Sequence, residues 1–495
     1  MDARQYDVVV IGAGPTGENV ADRAVKGGLS AAIIESELVG GECSYWACIP
    51  SKALLQPILA NAAAKSVAGA LCNGDADLDV AAVLARRDAF TSHWKDAGQV
   101  KWLEQSNIEL TRGHARLAGE RRVRVTDNAG KVIELVARHA VAICTGTRAS
   151  IPPIPGLAQS RPWTSREATS ARKAPRRLVI LGGGVVACEM ATAWRHLGSD
   201  SVTIIQRGPR LLANCEPFAG HMLRESLERS GVTVLTNTTI ERVERSADGV
   251  VQVSLGGGKN ISADEILVAA GREPRTGDLG LETVGLKPGS WLDVDDSMQV
   301  EGVAGTWLYA AGDVNHRALL THMGKYQARA CGDVIAARAS GQPDAVAPKP
   351  WSRYAATADN QAVPQVIFTM PEIATVGLTE VQARIRRMNI RVVEYDIGRV
   401  AGASLQADNY SGRAKMVIDR NRQVLVGVTF VGGGVGDLIH AATIAIVAGV
   451  PIDRLWHAVP AYPTVSEIWL RLLETLRSED EPAGGKPVVE LLKAG

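Results

Sequence analysis

The chain has almost no net charge: over 495 residues, Lys+Arg 54 stand against Asp+Glu 53, a balance of +1. No global field therefore draws it to nucleic acid or to an anionic membrane. It also lacks any uninterrupted apolar run near the roughly 20 residues that a membrane span requires. After Met1-Asp2-Ala3-Arg4-Gln5 it passes into an apolar strand with no leader-like segment between. These absences lead us to expect a cytoplasmic protein with no nucleic-acid partner, no membrane and no metal site. Cysteine is sparse, with seven residues (Cys43, Cys48, Cys72, Cys144, Cys188, Cys215 and Cys331), an odd number that argues against a secreted disulfide framework. The length suits about three domains with substantial cores.

What is present begins with a strand, Tyr6 to Ile11, followed by Gly12-Ala13-Gly14-Pro15-Thr16-Gly17, a helix to about Lys26, and a strand Ala31 to Ile34 ending at Glu35. Such glycines permit a tight turn and close backbone approach to a pyrophosphate at a helix N-terminus, and an acid about 20 residues on meets a ribose hydroxyl. The same unit recurs: strand Leu178 to Leu181, Gly182-Gly183-Gly184, a helix carrying Glu189, and strand Ser201 to Ile205. Two units imply two dinucleotides. At the second, Gln206 replaces the acid, with Arg207 adjacent and Arg210 nearby. That removes repulsion of a 2′-phosphate and supplies cations, favouring NADPH over NADH; the alternative is that both arginines are solvated loop charges.

Only two cysteines are close in sequence, in Gly40-Gly41-Glu42-Cys43-Ser44-Tyr45-Trp46-Ala47-Cys48-Ile49-Pro50-Ser51-Lys52. Pro50 suits the first turn of a helix, and a thiol near a helix N-terminus has its thiolate stabilised. The stretch reads as a redox centre, against the alternative of two unpaired buried thiols. Residues 53 to 110 read as helical, with Pro57 expected to kink the first helix. An antiparallel insert is expected at Arg112 to Leu135, then a strand Val141 to Cys144 leading to Thr145-Gly146-Thr147-Arg148 and a proline-rich boundary at Ile151 to Gly156. Two further strands deliver polar loops, at Gly271-Arg272 and Gly312-Asp313. Beyond Pro350, strands at Val366 to Thr369 and Val424 to Phe430 and a helix at Leu438 to Val447 indicate an α+β domain.

Together with Phe368-Thr369-x-Pro371-Glu372-Ile373-Ala374-x-Val376-Gly377 and Pro463-Thr464-x-Ser466-Glu467, these residues resemble the class I pyridine nucleotide-disulfide oxidoreductases over nearly the whole chain. The family includes dihydrolipoamide dehydrogenase, glutathione reductase and mercuric reductase. The resemblance implies an α/β fold with two Rossmann-like domains and an α+β dimerisation domain: 1–155 for FAD, 156–280 for NAD(P)H, 281–350 completing the FAD site, 351–480 at the interface, and a tail at 481–495. It places Gly12, Gly14, Gly17, Glu35, Gly41, Thr145, Gly146, Gly312 and Asp313 at FAD, and Gly182, Gly184, Gln206, Arg207, Gly271 and Arg272 at NAD(P)H. Cys48 would lie against the flavin, Cys43 would face the acceptor, and Lys52 and Glu189 would form an ion pair beside flavin N5. A homodimer with a composite active site is implied, Tyr462 and Glu467 coming from the second subunit.

The chain departs from the family in three places. Where related reductases carry a His-Pro-Thr sequence, it has Tyr462-Pro463-Thr464. Histidine, at about 6.5, is available as a base at neutral pH, whereas an unperturbed tyrosine near 10 is ionised in roughly one molecule in a thousand. Dithiol exchange needs such a base, so efficient lipoamide or glutathione turnover is not expected; His457 fits the spacing to Glu467 less well. Second, no cysteine follows Cys331, unlike the C-terminal pair of mercuric reductases. Third, Tyr45 and Trp46 stand between the cysteines; they would narrow access or offer an aromatic surface to a planar acceptor, or else pack against the partner. The expected function is an FAD-dependent NAD(P)H oxidoreductase acting through Cys43 and Cys48 on an unidentified small-molecule acceptor. The alternatives are a quinone or electron-carrier reductase working directly from the flavin, a metal-ion reductase, a lipoamide dehydrogenase or a non-catalytic redox sensor.

Overall fold

The computed structural model describes residues 3–70 and 78–478; Cys72 and the expected tail at 481–495 lie outside the described residues. The chain forms two compact units. Of the described residues, 3–59, 78–213 and 224–363 make the first, and 60–70, 214–223 and 364–478 the second.

In chain order the first unit opens with β1 (Ala3–Ile11), α1 (Pro15–Lys26), β2 (Ala31–Glu35), α2 (Gly41–Tyr45) and α3 (Cys48–Lys65). It continues with α4 (Val80–Phe90), α5 (Ala97–Gln105), β3 (Ile108–Arg112), β4 (His114–Leu117), β5 (Arg122–Thr126), β6 (Val132–Ile143), β7 (Thr147–Ala149) and α6 (Ser165–Ser170). Next come β8 (Arg177–Leu181), α7 (Val185–His196), β9 (Ser201–Ile205), α8 (Pro217–Arg229), of which only 224–229 belong to this unit, and β10 (Val232–Leu235). The run ends with β11 (Ile240–Arg245), β12 (Val251–Leu255), β13 (Asn260–Ala263), β14 (Glu265–Val268), β15 (Arg272–Pro274), β16 (Leu308–Ala310) and α9 (Thr321–Ala339). A seven-stranded sheet in the order β3-β2-β1-β6-β5-β4, with β16 also on β6, is one platform; the parallel sheet β10-β9-β8-β14 is the other.

Alternation explains the first sheet. Side chains at successive strand positions point to opposite faces. Val8, Val10, Ile33 and Ala142 pack with Val20 and Ala24 of α1 and Ala328 and Val334 of α9, whereas Val9, Ile11, Ile34 and Ile143 join Val123, Val125 and Leu135 on the other side. A sheet buried on both faces needs a continuous apolar run, which is why β1 shows no polar alternation at Val8-Val9-Val10-Ile11. On the helical face α1 and α9 touch closely: Arg23 clamps Asp333 through Nε at 2.6 Å and Nη2 at 2.9 Å.

Two local expectations are revised. The insert strand and the strand at Val141 are one element, β6, whose first half pairs with β5 (Leu135 with Val123) and whose second half pairs with β16 (Ile143 with Ala310). The stretch 53 to 110 is not wholly helical, because Ile108 starts β3, which extends the sheet beside β2. Helix α3 runs on through Pro57 to Lys65. A proline withholds the N–H that the carbonyl four residues earlier would accept, and Arg86 Nη1 donates to that carbonyl, Ala53 O, at 3.4 Å.

The second unit is built on a five-stranded antiparallel sheet, β17 (Pro364–Ile367), β18 (Glu372–Gly377), β19 (Ile390–Asp396), β20 (Arg413–Asp419) and β21 (Val424–Gly432), in the order β17-β18-β21-β20-β19. Its helices are α10 (Glu380–Ile385), α11 (Ala401–Gln406), α12 (Ile439–Val447), α13 (Ile452–Leu455) and α14 (Ile468–Ser478). Central β21 is buried at every position. The buried Lys415 binds Glu216 at 2.9 Å and Glu380 at 2.6 Å, tying 214–223 to this sheet. No helix among the described residues is long and apolar enough to cross a membrane.

Candidate active site

The glycine pair shapes the redox loop. Gly40 and Gly41 take φ of 110° and 57°, and a Cβ on Gly41 would meet Gly14 Cα at 2.9 Å, so the loop presses its backbone against the first glycine turn. α2 then carries Cys43, and α3 starts at Cys48. Both thiols are free and half-buried. Thr321, the first residue of α9, has its Oγ1 3.2 Å from Cys48 Sγ, and Lys52, one turn along α3, donates to Glu189 Oε2 at 2.7 Å. Glu189 is only 3% exposed.

These neighbours make the two sulfurs unequal. A hydrogen bond from Cys43 is the chief influence holding Cys48 down at about 6; Thr321 and the Lys52 charge add to it, and burial and Glu189 oppose it. Cys43 is pushed well up by the same hydrogen bond and by burial. The proton therefore stays on Cys43 and the negative charge on Cys48. In the reduced protein the Cys48 thiolate is expected to persist down to a midpoint near pH 6 and to be lost as the pH falls through it. Ultraviolet absorbance of the thiolate measures this. Lys52→Met should move the midpoint upward, and a wild-type midpoint near the free-thiol value of about 8.5 would contradict the assignment.

The aromatic pair has separate tasks. Tyr45 is 1% exposed, its hydroxyl donates to Val39 O at 3.1 Å, and its carbonyl accepts from Trp94 Nε1 at 3.1 Å. It packs inside its own subunit, so neither the acceptor-surface nor the partner-packing reading applies to it. Trp46 lies under the guanidinium of Arg166, 4.1 Å from the ring centroid, and its carbonyl accepts from Thr169 Oγ1 at 3.0 Å. Arg166 also binds Glu42 at 2.6 Å and Glu37 at 2.7 Å, and Arg275 binds Glu42 at 2.9 Å.

A cavity of about 680 Å³ opens beside this loop, lined by Gly12, Gly14, Glu35, Gly41, Cys43, Thr145, Gly146, Arg272, Asp313 and Thr321 among others. Gly17 lies behind the turn: a Cβ there would fall 1.9 Å from Gly12 O. Glu35 accepts the N–H of Ala13 at 2.9 Å and of Glu37 at 2.8 Å, so the acid is anchored to the glycine turn; burial raises its pKa despite these bonds. Asp313 accepts from Thr147 Oγ1 at 2.8 Å and is likewise pushed up by burial. Arg272, expected beside the nicotinamide nucleotide, instead lines this first cavity. Gly271 has φ of 133° and leads into β15, which pairs antiparallel with β7 and so delivers Arg272 Nε to Thr147 Oγ1 at 2.5 Å.

At the second fingerprint Gly182 ends β8, with a Cβ there 2.2 Å from Ala269 O, and Gly184 caps α7. Gln206 folds toward the turn, its Nε2 3.5 Å from Arg210 O, and Arg207 is exposed. Tyr462 and Glu467 belong to the second unit. Tyr462 is 76% exposed; Glu467 is 5% exposed and accepts from Gly402 N at 3.3 Å. Residues missed from the sequence are Thr321, Thr147, Glu42, Arg166 and Arg275. Of these, Glu42 inside the cysteine loop and Thr147 inside the Thr145-Gly146-Thr147-Arg148 loop carried a positional signal.

Comparison with known proteins bears on all of this. Residues 6–340 match the family described as pyridine nucleotide-disulphide oxidoreductase, and 363–472 match the dimerisation domain of the same family. A dihydrolipoyl dehydrogenase of Thermus scotoductus is 33% identical over 96% of this chain and 98% of its own length. A mercuric reductase of Staphylococcus aureus is 29% identical over 93% of this chain and 81% of its own. The fold is shared with the HOCl-induced flavoprotein disulfide reductase RclA of Escherichia coli, at a TM-score of 0.78 and 24% identity, covering 95% of this chain and 99% of that one. With a family match spanning most of its length and a free cysteine pair set in the loop after the first glycine turn, this chain belongs to the class I pyridine nucleotide-disulfide oxidoreductases, FAD-dependent enzymes that use a nicotinamide nucleotide and carry a dimerisation domain.

Proposed function

We propose that the protein oxidises NADPH in preference to NADH and passes the electrons, by way of FAD, Cys48 and Cys43, to a small-molecule acceptor that does not rely on a histidine base. The observation that carries this is the geometry of the cysteine pair, two free thiols in the loop after the first glycine turn with Thr321 Oγ1 3.2 Å from Cys48 and the Lys52–Glu189 pair one turn along, which favours the thiolate on Cys48 over Cys43. Such an arrangement suits a sulfur that faces the electron donor and another that faces the acceptor.

The residues fit FAD. A glycine-walled cavity of this size suits a cofactor, and Thr145 Oγ1 on its wall is buried with no hydrogen-bond partner among the described residues. Gly12, Gly14, Gly17 and Gly41 would admit the pyrophosphate, Glu35 a ribose, and Thr145, Gly146, Gly312 and Asp313 the remainder, with Arg272 steadying Thr147. FAD supplies the two-electron relay between a nicotinamide and a disulfide. Lys52, held by Glu189, presents positive charge beside that relay; Gly182, Gly184, Gln206 and Arg207 receive the nucleotide, with Gly271 leading into the strand that carries Arg272. Residues 1–155 and 281–350 then serve FAD, 156–280 the nucleotide, and 351–480 a homodimer interface through which Tyr462 and Glu467 complete the partner's acceptor site. A second reading, direct flavin-to-quinone or electron-carrier transfer, draws support from the protonated Cys43 and the tyrosine at 462.

The test is an acceptor screen of disulfides, quinones and metal ions with both nucleotides. NADPH should be the better donor, and Arg207→Ala should raise its KM about tenfold, the loss of one charge-assisted hydrogen bond, with NADH unaffected. Equal use of both nucleotides by the wild type would defeat the NADPH assignment. Oxidation of neither nucleotide with any acceptor would defeat the proposal.

A further inference from the structure

The turn that presents Asp313 is held from behind by a side chain that no motif announces. Gln327, fully buried on α9, accepts the N–H of Gly312 through Oε1 at 2.7 Å and Asn315 Nδ2 at 2.9 Å. Both partners are donors, which fixes the amide's orientation. Its Nε2 therefore points the other way, donating to Asp359 Oδ2 at 2.8 Å. Asp359 is 7% exposed and also accepts Arg317 Nε at 3.2 Å, while its Oδ1 is buried with no partner among the described residues. Arg317 Nη2 reaches Asp296 at 2.7 Å and Ala356 O at 3.2 Å. A single file of hydrogen bonds thus runs from Asp359 through Gln327 to Gly312.

We infer that Gln327 and Asp359 are positioning residues for the Gly312–Asp313 turn, and that the ionised carboxylate of Asp359 keeps that turn in its FAD-holding arrangement, so that FAD is held less tightly on acidification. The inference rests on the reading of Asp313 as an FAD contact.

The donor and acceptor bookkeeping shows why. A carboxylate only accepts, so it can face Nε2 of Gln327. A proton on Oδ2 would turn Asp359 into a donor against that Nε2. The amide would have to rotate, bringing Nε2 against two further donors, Gly312 N–H and Asn315 Nδ2. A proton on Oδ1 would leave a buried hydroxyl with nothing to bond. Either site weakens the seat under Gly312.

The groups that face Asp359 are Arg317, which favours its charge, Asp296, which opposes it, Gln327, and Tyr326 of α9, whose hydroxyl accepts from Ala358 N at 3.2 Å. Burial outweighs the favourable partners and lifts Asp359 to about 6. Keeping such a group ionised works against folding at neutral pH. If the FAD-bound form needs the carboxylate, affinity is full above pH 6 and declines as pH falls through it, by about tenfold between pH 7 and pH 5 for one linked proton.

The experiment measures FAD dissociation constants by the fluorescence of released flavin, in the full-length protein, from pH 5 to pH 8. Wild type should show the tenfold weakening. Asp359→Asn, whose amide oxygen still accepts from Gln327 but whose uncharged NH2 falls at the partnerless Oδ1 position, should bind FAD at pH 7 about tenfold more weakly than wild type and flatten the profile. Gln327→Leu should weaken FAD about tenfold at every pH, with far-ultraviolet circular dichroism confirming a folded chain. A wild-type profile already flat, or a slope unchanged in Asp359→Asn, overturns the inference while FAD binding stands. Should Asp313→Ala leave FAD affinity untouched, the reading of Asp313 falls and the inference with it.

Discussion

Cys43→Ser is expected to lower turnover with disulfide acceptors by on the order of 10³-fold or more, while NADPH is still oxidised in a single anaerobic turnover. Cys43 is the sulfur that keeps its proton, and it faces a neighbour that already carries negative charge. A serine hydroxyl still donates to Cys48, so the Cys48 thiolate should survive and be visible as a long-wavelength absorbance band in the reduced enzyme. The band separates loss of the exchanging sulfur from general damage to the site. Disulfide turnover within tenfold of wild type would show that the pair is not the route to the acceptor. Full quinone turnover in the same variant would identify direct transfer as the main activity.

Tyr462→His is expected to raise lipoamide or glutathione-disulfide exchange by about 10²-fold, the lower end of what a positioned general base contributes. The side chain is 76% exposed in its own subunit, so an imidazole fits there without repacking, and Glu467 lies five residues on. Cys43 makes the need for a base acute, because its proton is held by the thiolate beside it and by burial. Rates measured across pH should gain a new ascending limb near the histidine value of about 6.5. No gain with either substrate would mean that Tyr462 does not stand where the base acts, or that the acceptor needs none.

The parts legible from sequence were those in which spacing alone enforces geometry. Gly12 and Gly17 are legible because a Cβ would strike Cys144 O at 2.5 Å at the first and Gly12 O at 1.9 Å at the second. Lys52 and Glu189 are 137 positions apart and were paired only by family likeness; the 2.7 Å bond between them has no local signature. Arg272, which the resemblance assigns to the nicotinamide nucleotide, lines the first cavity, and its place there has no sequence signal for a related reason. Its place depends on β15 pairing with β7, and an antiparallel partner more than a hundred residues away leaves no periodicity to find. Tyr45 reads as a loop aromatic until the structure shows it beneath Val39. Gln327 gave no signal at all, since a glutamine inside a helix is ordinary until its two ends are seen to meet Gly312 and Asp359.

The long strand β6 also governs how this chain comes off the ribosome. Its second half pairs with β16 at Leu308–Ala310, and the face it shares with β1 is closed by α9, which ends at Ala339. At roughly 5–20 residues per second, synthesis leaves the part of that face beyond α1 uncovered for tens of seconds after β1 emerges. Partners so distant in sequence also make intrinsically slow folding. The first 300 residues alone would therefore present a partly open, aggregation-prone sheet, and expression of that fragment is expected to require chaperones that the whole chain needs only in passing.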